Sequence, residues 1–296
     1  MNLNPLLKGR RALVTGAGRG LGRSHALELA RHGARLLLND LGADAPDSPC
    51  QALAAELRAQ GSEVLVHGAD VTRMDQVQAM VDQAQQAWGG IDLLVNNAGI
   101  LRDKSFAKMN LDDFRLVMEV HLMGAVHCTH AVWNGMKERR HGRIVFTTSS
   151  SGLYGNFGQS NYSAAKMALV GLMQTLALEG ESHNIRVNCL APTAATGMTE
   201  GILPEPALKA LVPERVSPGL VALLADDAPT RAILLAGAGS FEAAHITLTR
   251  GVHLPGTTCQ AEAVLAQWGQ IAQRDGETVP SAGWDQYKLE LAKAGL

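Results

Sequence analysis

Tyr162 and Lys166 stand four residues apart in a stretch, Asn161 to Glu179, whose apolar residues recur with helical period. That spacing puts both side chains on one face of a helix. A phenol with an ordinary pKa near ~10 is a poor base at neutral pH. A neighbouring ammonium, together with a positively charged cofactor ring, stabilises the phenolate and lowers that value. The pair therefore predicts a proton exchanged with a substrate hydroxyl. Ser149, thirteen residues before Tyr162, falls at the end of the strand-like run 143–148. Its hydroxyl is suited to bond the substrate oxygen as negative charge develops there.

A second constellation lies near the N-terminus. Thr15-Gly16-Ala17-Gly18-Arg19-Gly20-Leu21-Gly22 follows one strand candidate and opens a helix candidate. A chain turning sharply beside a pyrophosphate needs residues without Cβ, and the helix N-terminus adds N–H donors and a favourable dipole. The spacing is T-G-x-x-x-G-x-G. The G-x-G-x-x-G fingerprint is absent, because Leu21 and Arg23 occupy the region of its last glycine. Asp40 ends the second strand candidate, where a carboxylate meets the adenosine ribose hydroxyls and repels a 2′-phosphate. This predicts NAD as the cofactor. Arg19 in the turn points instead to NADP, and Asp40 has the alternative role of a turn residue before Gly42. Asp70 and Val71 end the third strand and are placed to flank the adenine; Asp70 is equally suited to cap the next helix. Asn96-Asn97-Ala98-Gly99 ends the fourth, where small residues let the chain pass close to the cofactor.

The elements that must position these residues follow an alternating rhythm. Strand candidates are 11–15, 34–39, 63–67, 91–95, 143–148, 185–190 and 232–236, and helix candidates are 20–32, 50–60, 73–88, 111–138, 160–183 and 214–225. Such alternation predicts an α/β fold, a doubly wound parallel sheet of Rossmann-like type with ligands at the carboxyl ends of its strands. We read residues 1–240 as the catalytic domain, with a proline-rich lid at about 193–218, and 241–296 as a C-terminal extension. The extension is expected to hold a strand at 245–249, a helix at 261–274 and another short helix after a Gly/Pro break.

Composition narrows the class further. The 296 residues are 46% hydrophobic and 18% charged, enough to bury a large core, and the net charge of −2 gives no reason to expect nucleic acid. Four cysteines without a C-x-x-C pair suit reduced thiols in a cytoplasmic protein rather than a disulfide frame or zinc site. No apolar run approaches the ~18 residues of a membrane helix. There is no signal-peptide h-region, and the terminal Ala-Gly-Leu does not match the peroxisomal address. His127, Cys128 and His130 lack a zinc pattern, so no metal is expected. Lys137 to His141 reads as cations complementing a helix end.

T-G-A-G-R-G-L-G, N-N-A-G, Ser149, Y-S-A-A-K and R-V-N-C-L-A-P together resemble the short-chain dehydrogenase/reductase superfamily over about residues 8–240. The resemblance implies catalytic roles for Ser149, Tyr162 and Lys166. It also implies nicotinamide contacts from Asn97 and from Pro192 to Thr196, and a homodimer or homotetramer packed through the fourth and fifth helices. Members usually carry an asparagine in the fourth helix, linking the lysine to a relay water. Here His121 stands in that place, able to hold the same water, to exchange protons itself, or to serve only as a buried structural residue. N-D-L-G, V-H-L-M-G and Y-G-N-F-G-Q-S-N-Y-S-A-A-K are similar to the (3R)-hydroxyacyl-CoA dehydrogenase part of peroxisomal multifunctional enzyme type 2. That similarity implies oxidation of a 3-hydroxyacyl-CoA to the 3-oxoacyl-CoA, with 17β-hydroxysteroids or other secondary alcohols as alternative substrates. A non-catalytic NAD sensor is the alternative of another class, and the intact Ser149, Tyr162 and Lys166 set argues against it. Residues 251–296 match nothing in this pattern.

Overall fold

The structure, a computed structural model, describes residues 5–195 and 204–296. Runs such as Leu36-Leu37-Leu38 and Leu93-Leu94-Val95 are buried on both sides, as strands covered by helices on two faces require. The strands are β1 (Arg11–Thr15), β2 (Arg35–Asn39), β3 (Val64–His67), β4 (Leu93–Asn96), β5 (Gly142–Thr147), β6 (Ile185–Thr193), β7 (Ile233–Gly237) and β8 (Ser240–Ala244). They form one sheet in the order β3-β2-β1-β4-β5-β6-β7-β8. All pairings from β3 through to β7 are parallel. The order reverses between β1 and β4, so a crevice opens outside the carboxyl ends of these two strands.

The expected α/β fold and its first seven strands are found within a few residues. β6 runs three residues further than expected, to Thr193, and the eighth strand was not foreseen. Ala238 and Gly239 join β7 to β8 with φ of 53° and 83°, the left-handed pair that a tight hairpin turn needs.

The helices of the first unit are α1 (Gly20–Arg31), α2 (Pro49–Ala59), α3 (Met74–Trp88), α4 (Leu111–Met118), α5 (Gly124–Arg139), α6 (Ser150–Tyr154), α7 (Ser160–Gly180), α8 (Glu205–Ala210) and α9 (Ser217–Leu224). The expected helix 111–138 is interrupted by one π turn, Glu119–Met123, between α4 and α5. Such turns re-aim a side chain without ending the helix. The described part of the proline-rich segment contains α8 and a short 3-10 turn, Pro213–Arg215.

The chain divides into two compact units, Met1–Ala243 and Ala244–Leu296. In the second, α10 (Ala261–Ala266) and α11 (Trp268–Ile271) replace the single helix expected at 261–274, and α12 (Trp284–Lys293) follows. The strand expected at 245–249 is not formed; only Leu248 bridges, to Thr278. No residue of 244–296 is fully buried, so alternation there had no buried face to report. Among the described residues no helix is long and apolar enough to cross a membrane, and no cluster of three metal-ligating side chains occurs.

Candidate active site

The glycine turn connects β1 to α1. Gly16 and Gly20 have φ of 64° and 53°, a conformation side chains rarely adopt. A Cβ on Gly22 would lie 1.9 Å from Gly16 O, so only glycine lets α1 start this close to the turn. Arg19 is exposed at the N-cap, and Leu21 is half-buried against the core. Asp40, at the end of β2, reaches this turn: its Oδ2 accepts a hydrogen bond from Gly18 N–H at 2.9 Å, and its Oδ1 accepts from Leu41 N–H at 2.9 Å. The carboxylate is thus held against the turn rather than used only in a loop of its own. A Cβ on Gly18 would meet it at 2.8 Å. A cradle closed by backbone, with one fixed carboxylate, fits the pyrophosphate and ribose of a dinucleotide.

Asn39 donates to His67 O and Ala69 O at 3.0 and 2.9 Å and joins the ends of β2 and β3. Asp70 is not the N-cap of α3, a position held by Arg73; its Oδ1 accepts from Thr72 N–H and the Thr72 hydroxyl at 2.9 and 2.8 Å. Val71 is buried, and its carbonyl is bonded to His127 Nδ1 at 2.9 Å.

Asn97 follows β4, and its Nδ2 donates to Thr15 O and Gly16 O at 3.0 and 3.1 Å. The amide braces the glycine turn. Thr15, read from the sequence only as the start of the glycine turn, is the hub of this corner: its hydroxyl donates to Val95 O at 3.3 Å and accepts from Asn97 N–H and Ala98 N–H, both at 3.0 Å. Gly99 lies against His121, whose Cε1 would be 2.2 Å from a Cβ there. Pro192 lies at the carboxyl end of β6, paired with Ala236 of β7. Thr196 lies outside the described residues.

Tyr162 sits in the first turn of α7 and Lys166 one turn later, with Nζ 5.4 Å from the phenol ring centre. Lys166 is only 3% exposed, and Nζ donates to Thr147 O at 2.5 Å. The Thr148 hydroxyl donates to Lys166 O at 2.7 Å, fixing α7 to the end of β5. Burial pulls the lysine pKa down to about 7. Ser149 follows the end of β5, as expected, and caps α6, its Oγ accepting from Ser151 N–H at 3.1 Å. Burial raises the Tyr162 pKa, the Ser149 hydroxyl lowers it through a hydrogen bond, and the Asp103 charge raises it. The expected lowering of the phenol pKa called on Lys166 together with a positively charged nicotinamide ring; in the protein alone, burial disfavours the charged form of both side chains.

His121 occupies the π turn and is buried. Its Nε2 lies 2.8 Å from Ile100 O and 3.0 Å from Ile100 N, and its ring meets Tyr162 edge-on with centres 5.2 Å apart. Burial pushes its pKa down to about 3, so the ring is neutral at physiological pH. His121, Asn96 and Lys166 line a cavity of about 10 Å³. His121 Nδ1 and Asn96 Oδ1 are buried without a protein partner.

A phenol, a serine and a buried lysine at the carboxyl ends of a parallel sheet, beside a phosphate-type cradle, define a dinucleotide-dependent oxidoreductase. The short chain dehydrogenase profile matches residues 10–206, and the chain belongs to that family. It is 39% identical over 291 residues to peroxisomal multifunctional enzyme A of Dictyostelium discoideum, a match covering 96% of this chain and 65% of that protein. The structure of full-length peroxisomal multifunctional enzyme type 2 from Drosophila melanogaster superposes with a TM-score of 0.81 at 34% identity, covering 98% of this chain and 50% of that one. A short chain dehydrogenase from Mycobacterium avium gives a TM-score of 0.80 at 33% identity over 94% of this chain and 99% of that one. The chain therefore spans less than two thirds of the length of the multifunctional relatives.

Proposed function

We propose that this protein is an NAD-dependent dehydrogenase that interconverts a secondary alcohol and a ketone, with a 3-hydroxyacyl-CoA as the alcohol. The observation that carries the reading is the meeting of Ser149, Tyr162 and Lys166 beside a glycine turn to which Asp40 is bonded. The thioester rests on the similarity to the multifunctional enzymes.

In this reading Gly16, Arg19, Gly20, Leu21 and Gly22 hold the pyrophosphate, largely through backbone N–H groups. Asp40 takes the adenosine ribose and disfavours a 2′-phosphate, which selects NAD. Asp70 and Val71 flank the adenine, and Asn97, Gly99, Pro192 and Thr196 border the nicotinamide, with Lys166 at its ribose. Bound NAD supplies the hydride acceptor. Ser149 holds the substrate oxygen and Tyr162 takes its proton. His121 acts by position. With its Nε2 committed to Ile100, its Nδ1 and Asn96 Oδ1 are free to hold one water against Lys166, in a cavity of the size one water needs.

All four cysteines are unpaired, in keeping with a reducing compartment such as the cytoplasm. Leu116, Met167 and Leu178, exposed on α4 and α7, support self-association as a homodimer or homotetramer.

The test is NADH formation from 3-hydroxybutyryl-CoA and from 17β-estradiol. Turnover of the thioester, lost in Tyr162→Phe with NADH binding kept, supports the reading. Activity on the steroid alone overturns the substrate, and equal near-zero rates for wild type and Tyr162→Phe indicate a sensor.

A further inference from the structure

Asp103 lies against the start of α7, the helix that carries Tyr162, and its charge raises the pKa of that phenol. The segment after β4 passes the start of α7 and is fastened there by three hydrogen bonds. Lys104 N–H donates to Gly158 O at 2.9 Å, Asn161 Nδ2 to Arg102 O at 3.0 Å, and Gln159 Nε2 to Asp103 Oδ2 at 2.7 Å. Asn156 Nδ2 in turn donates to Gln159 Oε1 at 3.1 Å, so the amide that grips Asp103 is itself held. Gln159 is the N-cap of α7, the 21-residue helix whose first turn carries Tyr162. A helix N-terminus attracts negative charge. Beside this one the protein has fixed a carboxylate of its own.

We infer that Asp103 is a specificity residue, keeping alcohols that carry a carboxylate two carbons from the carbinol away from Tyr162 and admitting neutral esters and thioesters. This deepens the reading given above and rests on it for the thioester. In a free 3-hydroxy acid the carboxylate lies two carbons from the carbinol and must arrive at the phenol with it. In the thioester the same carbon is uncharged, and the phosphates of coenzyme A sit at the far end of a long pantetheine arm.

The neighbouring cations do not cancel this. Arg102 faces Asp113, with Nε 3.6 Å from Oδ1. Lys166 is buried on Thr147 O. Lys104 is exposed, and the charge that acts on the phenol is that of Asp103. For two like charges facing each other through an effective dielectric between water and protein interior, the discrimination is roughly three- to tenfold.

The experiment compares kcat/KM for 3-hydroxybutyrate, its methyl ester, its N-acetylcysteamine thioester and its CoA thioester in wild type, Asp103→Asn and Asp103→Glu. Asp103→Asn keeps a partner for Gln159 and removes the charge. It is expected to raise the acid relative to the methyl ester roughly three- to tenfold, while Asp103→Glu keeps the wild-type ratio. A role confined to holding Gln159 would lower all four substrates together and leave the ratio unmoved. A second measurement needs no variant: in wild type, added salt narrows the gap between acid and ester, because it screens an exposed charge. An acid-to-ester ratio that stays within twofold in Asp103→Asn, or that is insensitive to salt in wild type, overturns the inference. If wild type oxidises the methyl ester but neither thioester, the substrate reading falls while the comparison of acid with ester still decides the role of Asp103.

Discussion

Replacing Lys166 with methionine should make the protein more stable and nearly inactive. Lys166 is 3% exposed, and burial brings its pKa from the ordinary 10.5 down to about 7. A fall of that size corresponds to about 5 kcal/mol of destabilisation when the side chain is charged in the unfolded chain. Methionine fills a similar volume without charge, but it leaves Thr147 O without its donor, which costs about 1–3 kcal/mol. The net gain is roughly 2–4 kcal/mol, a rise in Tm on the order of 5–10 °C for a chain of this length.

The sign has a pH signature. The folded pKa lies below the unfolded one, so between pH 10.5 and about 7 the unfolded chain binds the extra proton and wild-type stability falls as pH falls. Below about 7 the penalty is full, and above 10.5 it vanishes. Calorimetry of wild type and Lys166→Met at pH 6.5 and pH 9.5 should show the largest gain at the lower pH, with turnover reduced by about 10²-fold or more. A variant less stable than wild type at pH 6.5, or a gain equal at both values, would refute the reasoning.

Gly22→Ala places a Cβ 1.9 Å from Gly16 O and must displace the glycine turn, so NADH binding measured by fluorescence should weaken by about two orders of magnitude or more. Asp40→Asn keeps an acceptor for Gly18 N–H but removes the charge, and the ratio of NADP to NAD in kcat/KM should rise about tenfold. His25 and His121 are both held neutral until about pH 3, whereas their unfolded counterparts protonate near 6.5. Stability is therefore complete above 6.5 and lost by several kcal/mol as pH falls toward 3; urea midpoints at pH 7 and pH 5 check this, and no drop at pH 5 counts against it.

Much of the first unit could be read from residue patterns, because its strands are buried on both faces and its glycines mark a turn no other residue can make. The pairing of Tyr162 and Lys166 was legible for the same kind of reason: they share a helix face whatever surrounds them. The π turn at Glu119–Met123 was not, since one extra residue in a helical ladder leaves the apolar period of 111–138 almost unchanged. Backbone groups were also invisible. The partner of Lys166 is a carbonyl, Thr147 O, and Asn97 bonds the carbonyls of Thr15 and Gly16, so no side-chain pattern announces either contact. In 244–296, Trp268, Trp284 and Tyr287 are exposed, and alternation without a buried face predicts no element dependably.

The phenol is where composition and geometry diverge most usefully. Spacing alone says that an ammonium four residues away should draw the Tyr162 proton off. In the folded protein burial acts on both groups, raising the phenol and lowering the lysine, so each is biased toward its neutral form. Of the surrounding groups, the Ser149 hydroxyl favours the phenolate and Asp103 opposes it. In the proposed reaction Ser149 therefore has two tasks, bonding the substrate oxygen and easing the proton from its neighbour. His121 cannot contribute charge at neutral pH, since burial holds it neutral down to about pH 3; whatever it does for Lys166 it does as a neutral ring anchored on Ile100. A site assembled this way resists ionising unless further positive charge is placed against it. In the proposed reaction that charge would come from the oxidised nicotinamide ring, which would tie proton removal to cofactor binding.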